Sequence, residues 1–222
     1  NETVCSKWSD IESEDGTKSW RRKEFNATSV VIGGKLGGIN DDFLYGCSGF
    51  NGTVTFDNNS SLSYIGESFM EGCESFDSPL TIPNKVVMID ESFLDGCKSF
   101  DQPIYIPASV KRIGDSFLFD CENLDSPVVF DQGVVLESVG DNFMNNCKSF
   151  NQDIYLPDIS ETATRGYGNS ILMGCDSMTS VISIGCTDAS KLPPSDSNSF
   201  TYSSNVEETA PGIKLTFTST DV

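Results

Sequence analysis

The sequence predicts a β-rich solenoid of about six coils, and three observations carry that prediction. A phenylalanine stands four positions before a cysteine at Phe43/Cys47, Phe69/Cys73, Phe93/Cys97, Phe117/Cys121 and Phe143/Cys147, with a divergent copy at Ile171/Cys175. Successive cysteines are 26, 24, 24, 26 and 28 residues apart. Two apolar residues of β type follow each cysteine seven and nine positions later. A unit this short cannot enclose a core alone, so it has to bury its apolar face against copies of itself. Function then belongs to an extended surface rather than to a pocket.

Residues 1–29 are polar, with Trp8 and Trp20 as their large apolar groups, and fall outside the repeat. A solenoid end exposes the edge of its core, so this stretch reads as an N-terminal cap. Residues 30–186 form the repeat region. In its third copy, Ile104-Tyr105-Ile106 alternates as a strand bounded by Pro103 and Pro107. Its inward counterparts are Val54/Phe56, Leu80/Ile82, Val128/Phe130, Ile154/Leu156 and Ile182/Ile184. A second short strand is expected at Tyr64/Ile65, Val87/Ile89, Val110/Ile113 and Leu136/Val139. Between the two, Phe-x-x-x-Cys-x-x-Phe places apolar groups at i, i+4 and i+7, which suits one helical or 3₁₀ turn per coil. The sixth copy breaks down at Thr162–Gly168. Residues 187–222 turn Ser/Pro/Asn-rich and read as a C-terminal cap, with a strand over Gly212–Thr218 and the start of a linker to further sequence.

The run Ile106-Pro107-Ala108-Ser109-Val110-Lys111-Arg112-Ile113-Gly114-Asp115-Ser116-Phe117-Leu118-Phe119-Asp120-Cys121-Glu122-Asn123-Leu124 resembles the BspA-type leucine-rich repeat. It departs from that pattern where Asp42, Ser68 and Asn142 stand in place of the usual alanine before phenylalanine. The resemblance implies a surface-exposed or secreted protein, extracellular on a cell or virion surface, that binds host proteins or other cells. It also implies a second reading, a structural component of a virion or cell-envelope assembly. Neither reading involves an enzyme or a cofactor.

Charge narrows the partners. The chain carries 14 basic and 33 acidic residues, for a formal charge of −19. Such a surface repels phosphate backbones and anionic membranes, and its natural complement is a protein or cell-surface partner with a basic surface. No apolar run is long enough to span a membrane. The chain begins at Asn1 without a signal-peptide pattern, which suggests a processed form or a fragment. Histidine is absent, so Ser-His-Asp, Cys-His and zinc-hydrolase arrangements cannot be assembled within the chain.

Three repeated positions are candidates for chemistry. Cys47, Cys73, Cys97, Cys121 and Cys147 occupy one repeat position. They should stack with near-parallel side chains, which disfavours disulfides and suggests buried thiols acting as small hydrophobes. Cys175 and Cys186 lie outside that frame and are the pair best placed for a disulfide, while Cys5 has no evident partner. Asp77, Asp101, Asp125 and Asn151 form a second row, read either as Asx-type turns or as a calcium ladder through the three aspartates. The outward strand positions are Thr55, Thr81, Tyr105, Val129, Tyr155 and Ser183. Of these, Thr81, Tyr105, Val129 and Tyr155 form the candidate binding column, beside Pro79, Pro103, Pro127 and Asp153. Tyrosine is also common in strands for its β-propensity alone. Glycan binding by the tyrosines is a weaker alternative. Sequons occur at Asn1, Asn26, Asn51 and Asn59.

Overall fold

The computed structural model describes residues 3–4, 27–33, 36–57, 61–186, 188–193, 207–208 and 213–216. Trp8, Trp20, Cys5 and the sequons at Asn1, Asn26 and Asn59 lie outside them.

The chain winds as a β-solenoid whose coils stack in parallel. One wall is a five-stranded parallel sheet of two-residue strands, one per coil: Gly38–Ile39, Tyr64–Ile65, Met88–Ile89, Arg112–Ile113 and Ser138–Val139. The register is strict, with Ile39, Ile65, Ile89, Ile113 and Val139 forming one buried row. The opposite wall carries the longer strands. Ser29–Ile32 pairs with Thr53–Phe56, Ile104–Ile106 with Val128–Phe130, and Ile154–Leu156 with Val181–Ile184, all in parallel.

Leu80–Ile82 keeps the in–out alternation but joins no ladder. Pro79, Pro83 and Pro103 withhold three amide donors around it, which explains the interruption. Thr3–Val4 pairs in parallel with Ser29–Ile32 at one end. At the other end the strand expected over Gly212–Thr218 forms as Ile213–Thr216, antiparallel to Val181–Ile184, and its far edge pairs with Glu207–Glu208.

Inward positions fall as the alternation requires. Leu80, Ile82, Ile104, Ile106, Val128, Phe130, Ile154, Leu156, Ile182 and Ile184 are buried, whereas Phe56 is only half-buried. Two aromatic stacks run up the interior. Phe43, Phe69, Phe93, Phe117 and Phe143 stack at 5.0–5.1 Å between ring centroids, and Phe50, Phe76 and Phe100 at 5.7–6.0 Å. Near-parallel rings one coil apart gain dispersion and remove large apolar areas from water.

Two expectations are corrected. Val87 does not face inward; it is 41% exposed, and Val86 is buried in its place. A tight turn closed by Val86 N–H donating to the Pro83 carbonyl (3.0 Å) sets an inward spacing of three, as in Val110/Ile113. The helical or 3₁₀ turn expected at each Phe-x-x-x-Cys is instead a run of overlapping turns with left-handed residues. Ser68, Ser92, Ser116, Asn142 and Ser170, each just before the aromatic or Ile171, have φ of 56–59°. Gly72, Gly96, Asp120, Asn146 and Gly174, four positions on, have φ of 55–73°. The Gly, Asn and Asp members tolerate this region, whereas the four serines, like Leu44 and Met70 (φ 59°), adopt it against their own preference because the stacked coils hold it. The reversal turns their amides toward the next coil: Ser68 N–H reaches the Glu91 carbonyl (2.9 Å) and Gly72 N–H that of Asp95 (2.7 Å). An α-helical turn would have spent those donors within the coil.

Candidate functional site

The outward column stands where the alternation places it. Thr55 and Thr81 are exposed, Tyr105, Val129 and Tyr155 are 56%, 39% and 50% exposed, and Ser183 is half-buried. Tyr105 pairs in register with Val129, and Tyr155 with Ser183. The Tyr155 ring lies over Gly185, where a Cβ would collide with the phenol. That seat is a residue sequence reasoning missed; the signal was a glycine at the position held by Pro83, Pro107 and Pro157, or by Asp57 and Asp131, after the other strands. Beside the column stand Pro79, Pro103 and Pro127, and in the Tyr155 coil the exposed Asp153; the column positions themselves carry no charge.

One margin of this face is the Asp77 row, and its geometry decides between the two readings. The Asp77 Oδ1 accepts from Asp101 N–H (2.9 Å), Asp101 Oδ1 from Asp125 N–H (2.9 Å) and Asp125 Oδ1 from Asn151 N–H (2.8 Å). The bonds therefore run between coils, not within an Asx turn. Gln102 and Gln152 add side-chain amide bonds to Asp77 (2.9 Å) and Asp125 (3.1 Å). Amides do the same work at both ends: Asn51 Oδ1 accepts from Asp77 N–H, and Asn151 Oδ1 from Thr179 N–H, both at 2.8 Å. A row that functions with either Asn or Asp is using oxygen acceptors, not a cation. Among the described residues no three acidic groups converge as a metal site, and the carboxylates of Asp77, Asp101 and Asp125 are engaged by inter-coil amides instead. A parallel row on the other wall, Asp41 to Glu67, Asp115 to Asp141 and Asp141 to Asn169, repeats the device at 2.7–3.0 Å.

The thiols form a ladder of their own. Cys73, Cys97, Cys121, Cys147 and Cys175 donate to the carbonyls of Leu44, Met70, Leu94, Leu118 and Met144, one coil back, at 3.2–3.3 Å. Cys175 thus belongs to the column, and the Cys175–Cys186 disulfide is not formed; both are thiols. Burial pushes every thiol in the column from Cys73 to Cys147 well up, so none is a ready nucleophile.

Two surface columns complete the picture. Glu74, Lys98, Glu122 and Lys148 alternate in sign one residue after each cysteine, with Lys98–Glu74 at 3.2 Å and Lys148–Glu122 at 3.1 Å. Two residues after each aromatic, Glu71 and Asp95 approach each other with Asp120 nearby. Burial, then the Glu71 and Asp120 carboxylates, push Asp95 up to about 7, against a weak pull from the Ser92 hydroxyl.

A stack of 24–28-residue coils with one short parallel strand per coil on one wall and a buried aromatic ladder is a leucine-rich-repeat solenoid. The chain belongs to the BspA-type leucine-rich repeat family, whose model matches six copies over residues 16–151. A solved leucine-rich cell surface protein of Faecalibacterium prausnitzii superposes with a TM-score of 0.56 at 22% identity, over 85% of this chain and 45% of that one. This chain therefore spans less than half the length of that protein. No curated protein matches. Among the described residues no helix is long and apolar enough to cross a membrane.

Proposed function

We propose that the chain is a non-enzymatic, surface-exposed interaction module that meets a protein or cell-surface partner through Thr81, Tyr105, Val129 and Tyr155. The observation that carries this reading is the exposure of two tyrosines and a valine in one rigid, uncharged column. The ladders beneath have already ordered the backbone, so little entropy remains to be lost on docking. Family membership and the cell-surface name of the structural neighbour support an extracellular setting. The acidic margins suit a partner with a basic surround, which affects association rate and salt dependence more than affinity.

Binding of the fluorescently labelled protein to intact bacterial and animal cells tests the reading. Saturable binding should weaken by about 1–3 kcal/mol for each of Tyr105→Ala and Tyr155→Ala. The controls Glu67→Ala and Glu91→Ala, on the other wall, should leave affinity unchanged and alter at most its salt dependence. Saturable binding indifferent to both tyrosines would sink the face.

A further inference from the structure

We propose that the strand face binds a neutral β-1,4-linked polysaccharide lying along the solenoid axis, one sugar per coil from Thr81 to Ser183. This rests on the reading of that face as the binding surface, and it names the ligand at its centre. The phenylalanine stack beneath repeats at 5.0 Å from Phe93 to Phe117 and 5.1 Å from Phe117 to Phe143, so Tyr105 and Tyr155, separated by the coil bearing Val129, stand about 10 Å apart along the axis. An extended β-1,4-linked chain turns each sugar over relative to the last. Every second sugar therefore shows the same face, and the two-sugar repeat matches the two-coil spacing. A β-pyranose presents axial C–H groups on that face, which pack on an aromatic ring by dispersion and apolar burial.

The local detail fits such a track. Tyr155 lies over the Gly185 backbone, which holds its ring against the sheet as a platform. Val129, between the tyrosines, leaves room for the inverted sugar and offers it an apolar floor. Thr81 and Ser183 supply hydroxyls at the two ends. The hydroxyls of Tyr105 and Tyr155 hold no protein hydrogen bond among the described residues. Gln102 and Gln152 sit on the same rungs as the two tyrosines. Their Nε2 atoms are held by Asp77 and Asp125, which fixes the amides as side contacts for sugar hydroxyls. Uronate or sulfate chains would be repelled by a surface of formal charge −19. An α-1,4-linked chain coils and cannot follow a straight row.

Isothermal titration with cellohexaose and chitohexaose, against maltohexaose and the matching disaccharides, is the test. At least one β-1,4 hexasaccharide should bind, with its disaccharide about tenfold or more weaker and maltohexaose weaker still. Tyr105→Ala and Tyr155→Ala should each lower affinity about tenfold, whereas Tyr155→Phe keeps most of it. Thermal melts confirm that the variants fold, and salt should leave the binding of a neutral oligosaccharide unchanged, so that any salt dependence of cell binding comes from the acidic margins. Failure of both hexasaccharides at about millimolar concentration, equal binding of maltohexaose, or indifference to both tyrosines overturns the assignment. If tyrosine-dependent cell binding survives that failure, the face recognises protein and only the glycan assignment falls. If cell binding ignores the tyrosines, the face itself is wrong.

Discussion

The thiol of Cys97 donates to the carbonyl oxygen of Met70, one coil back, at 3.3 Å. The cysteine row is therefore a set of weak donors that satisfy buried carbonyls, not simply a stack of small hydrophobes. Cys97→Ala should cost about 1–2 kcal/mol, mostly through the small void it opens, since the Met70 carbonyl loses the thiol but keeps the Cys73 N–H (3.1 Å). Cys97→Ser should cost less, because its hydroxyl faces the same acceptor. Urea melts check the order, and a serine variant weaker than alanine would refute it.

Chemical accessibility follows from the same ladder. Cys73, Cys97, Cys121 and Cys147 should resist a thiol reagent in the native protein and react fully in denaturant. A denatured count below the eight cysteines of the chain would reveal a cross-link.

The raised Asp95 carboxyl makes stability depend on pH. Its folded value of about 7 lies above that of an unfolded aspartate, so the fold holds the proton more tightly. The stabilisation is complete below about pH 4 and is lost as pH rises toward 7. Asp95→Asn should be more stable than the parent at about pH 8, by about 1–2 kcal/mol after allowance for solvent screening, and the gap should close toward pH 4. Denaturant midpoints across that range measure it, and a gap that widens on acidification would refute it.

Replacing Asp101 separates acceptor from charge. Asp101→Ala should cost about 1 kcal/mol by leaving Asp125 N–H without its partner. Asp101→Asn keeps the acceptor and relieves repulsion from Asp77 and Asp125, so it should match or exceed the parent. Millimolar calcium should leave the melting temperature of all three unchanged; a calcium-dependent rise in the parent alone would restore the metal reading.

Gly114 marks where neighbouring coils come closest. A Cβ there would lie 2.6 Å from both the Asp90 carbonyl carbon and the Glu91 nitrogen, which are backbone and cannot step aside. Gly114→Ala should cost about 2–4 kcal/mol. A near-neutral melt would show that the wall can spread.

The sequence revealed the coil count, the inward pairs and the outward column, because a period of 24–28 with an inner alternation of two leaves one consistent register. It misled at Val87, where period two was carried across a Pro-initiated turn that needs three. The left-handed turns had a partial signal: Asp42, Asn142, Gly46, Asp120 and Asn146 are residue types that tolerate positive φ, yet the serines gave none and the i, i+4, i+7 apolar spacing suggested a helix. Cys175 was set aside because its coil carries an insertion. Its thiol still finds the Met144 carbonyl, since the extra residues around Glu161–Gly166 are absorbed before the turn. The inter-coil direction of the Asp bonds was not legible, because like charges one coil apart gave no hint of a shared amide.

Inside the molecule the translation symmetry is one coil: phenylalanine above phenylalanine, thiol above carbonyl. Outside it is two: Glu74, Lys98, Glu122 and Lys148 alternate in sign, and Tyr105 and Tyr155 are separated by Val129. Removing a single coil, residues 98–121, would leave the interior matched but bring Glu74 against Glu122 and take Tyr105 away, leaving Val129 and Tyr155 on the face. Removing two would preserve the charge order. The solenoid thus has a parity: its length can change by odd steps as a fold, but only by even steps as a patterned surface.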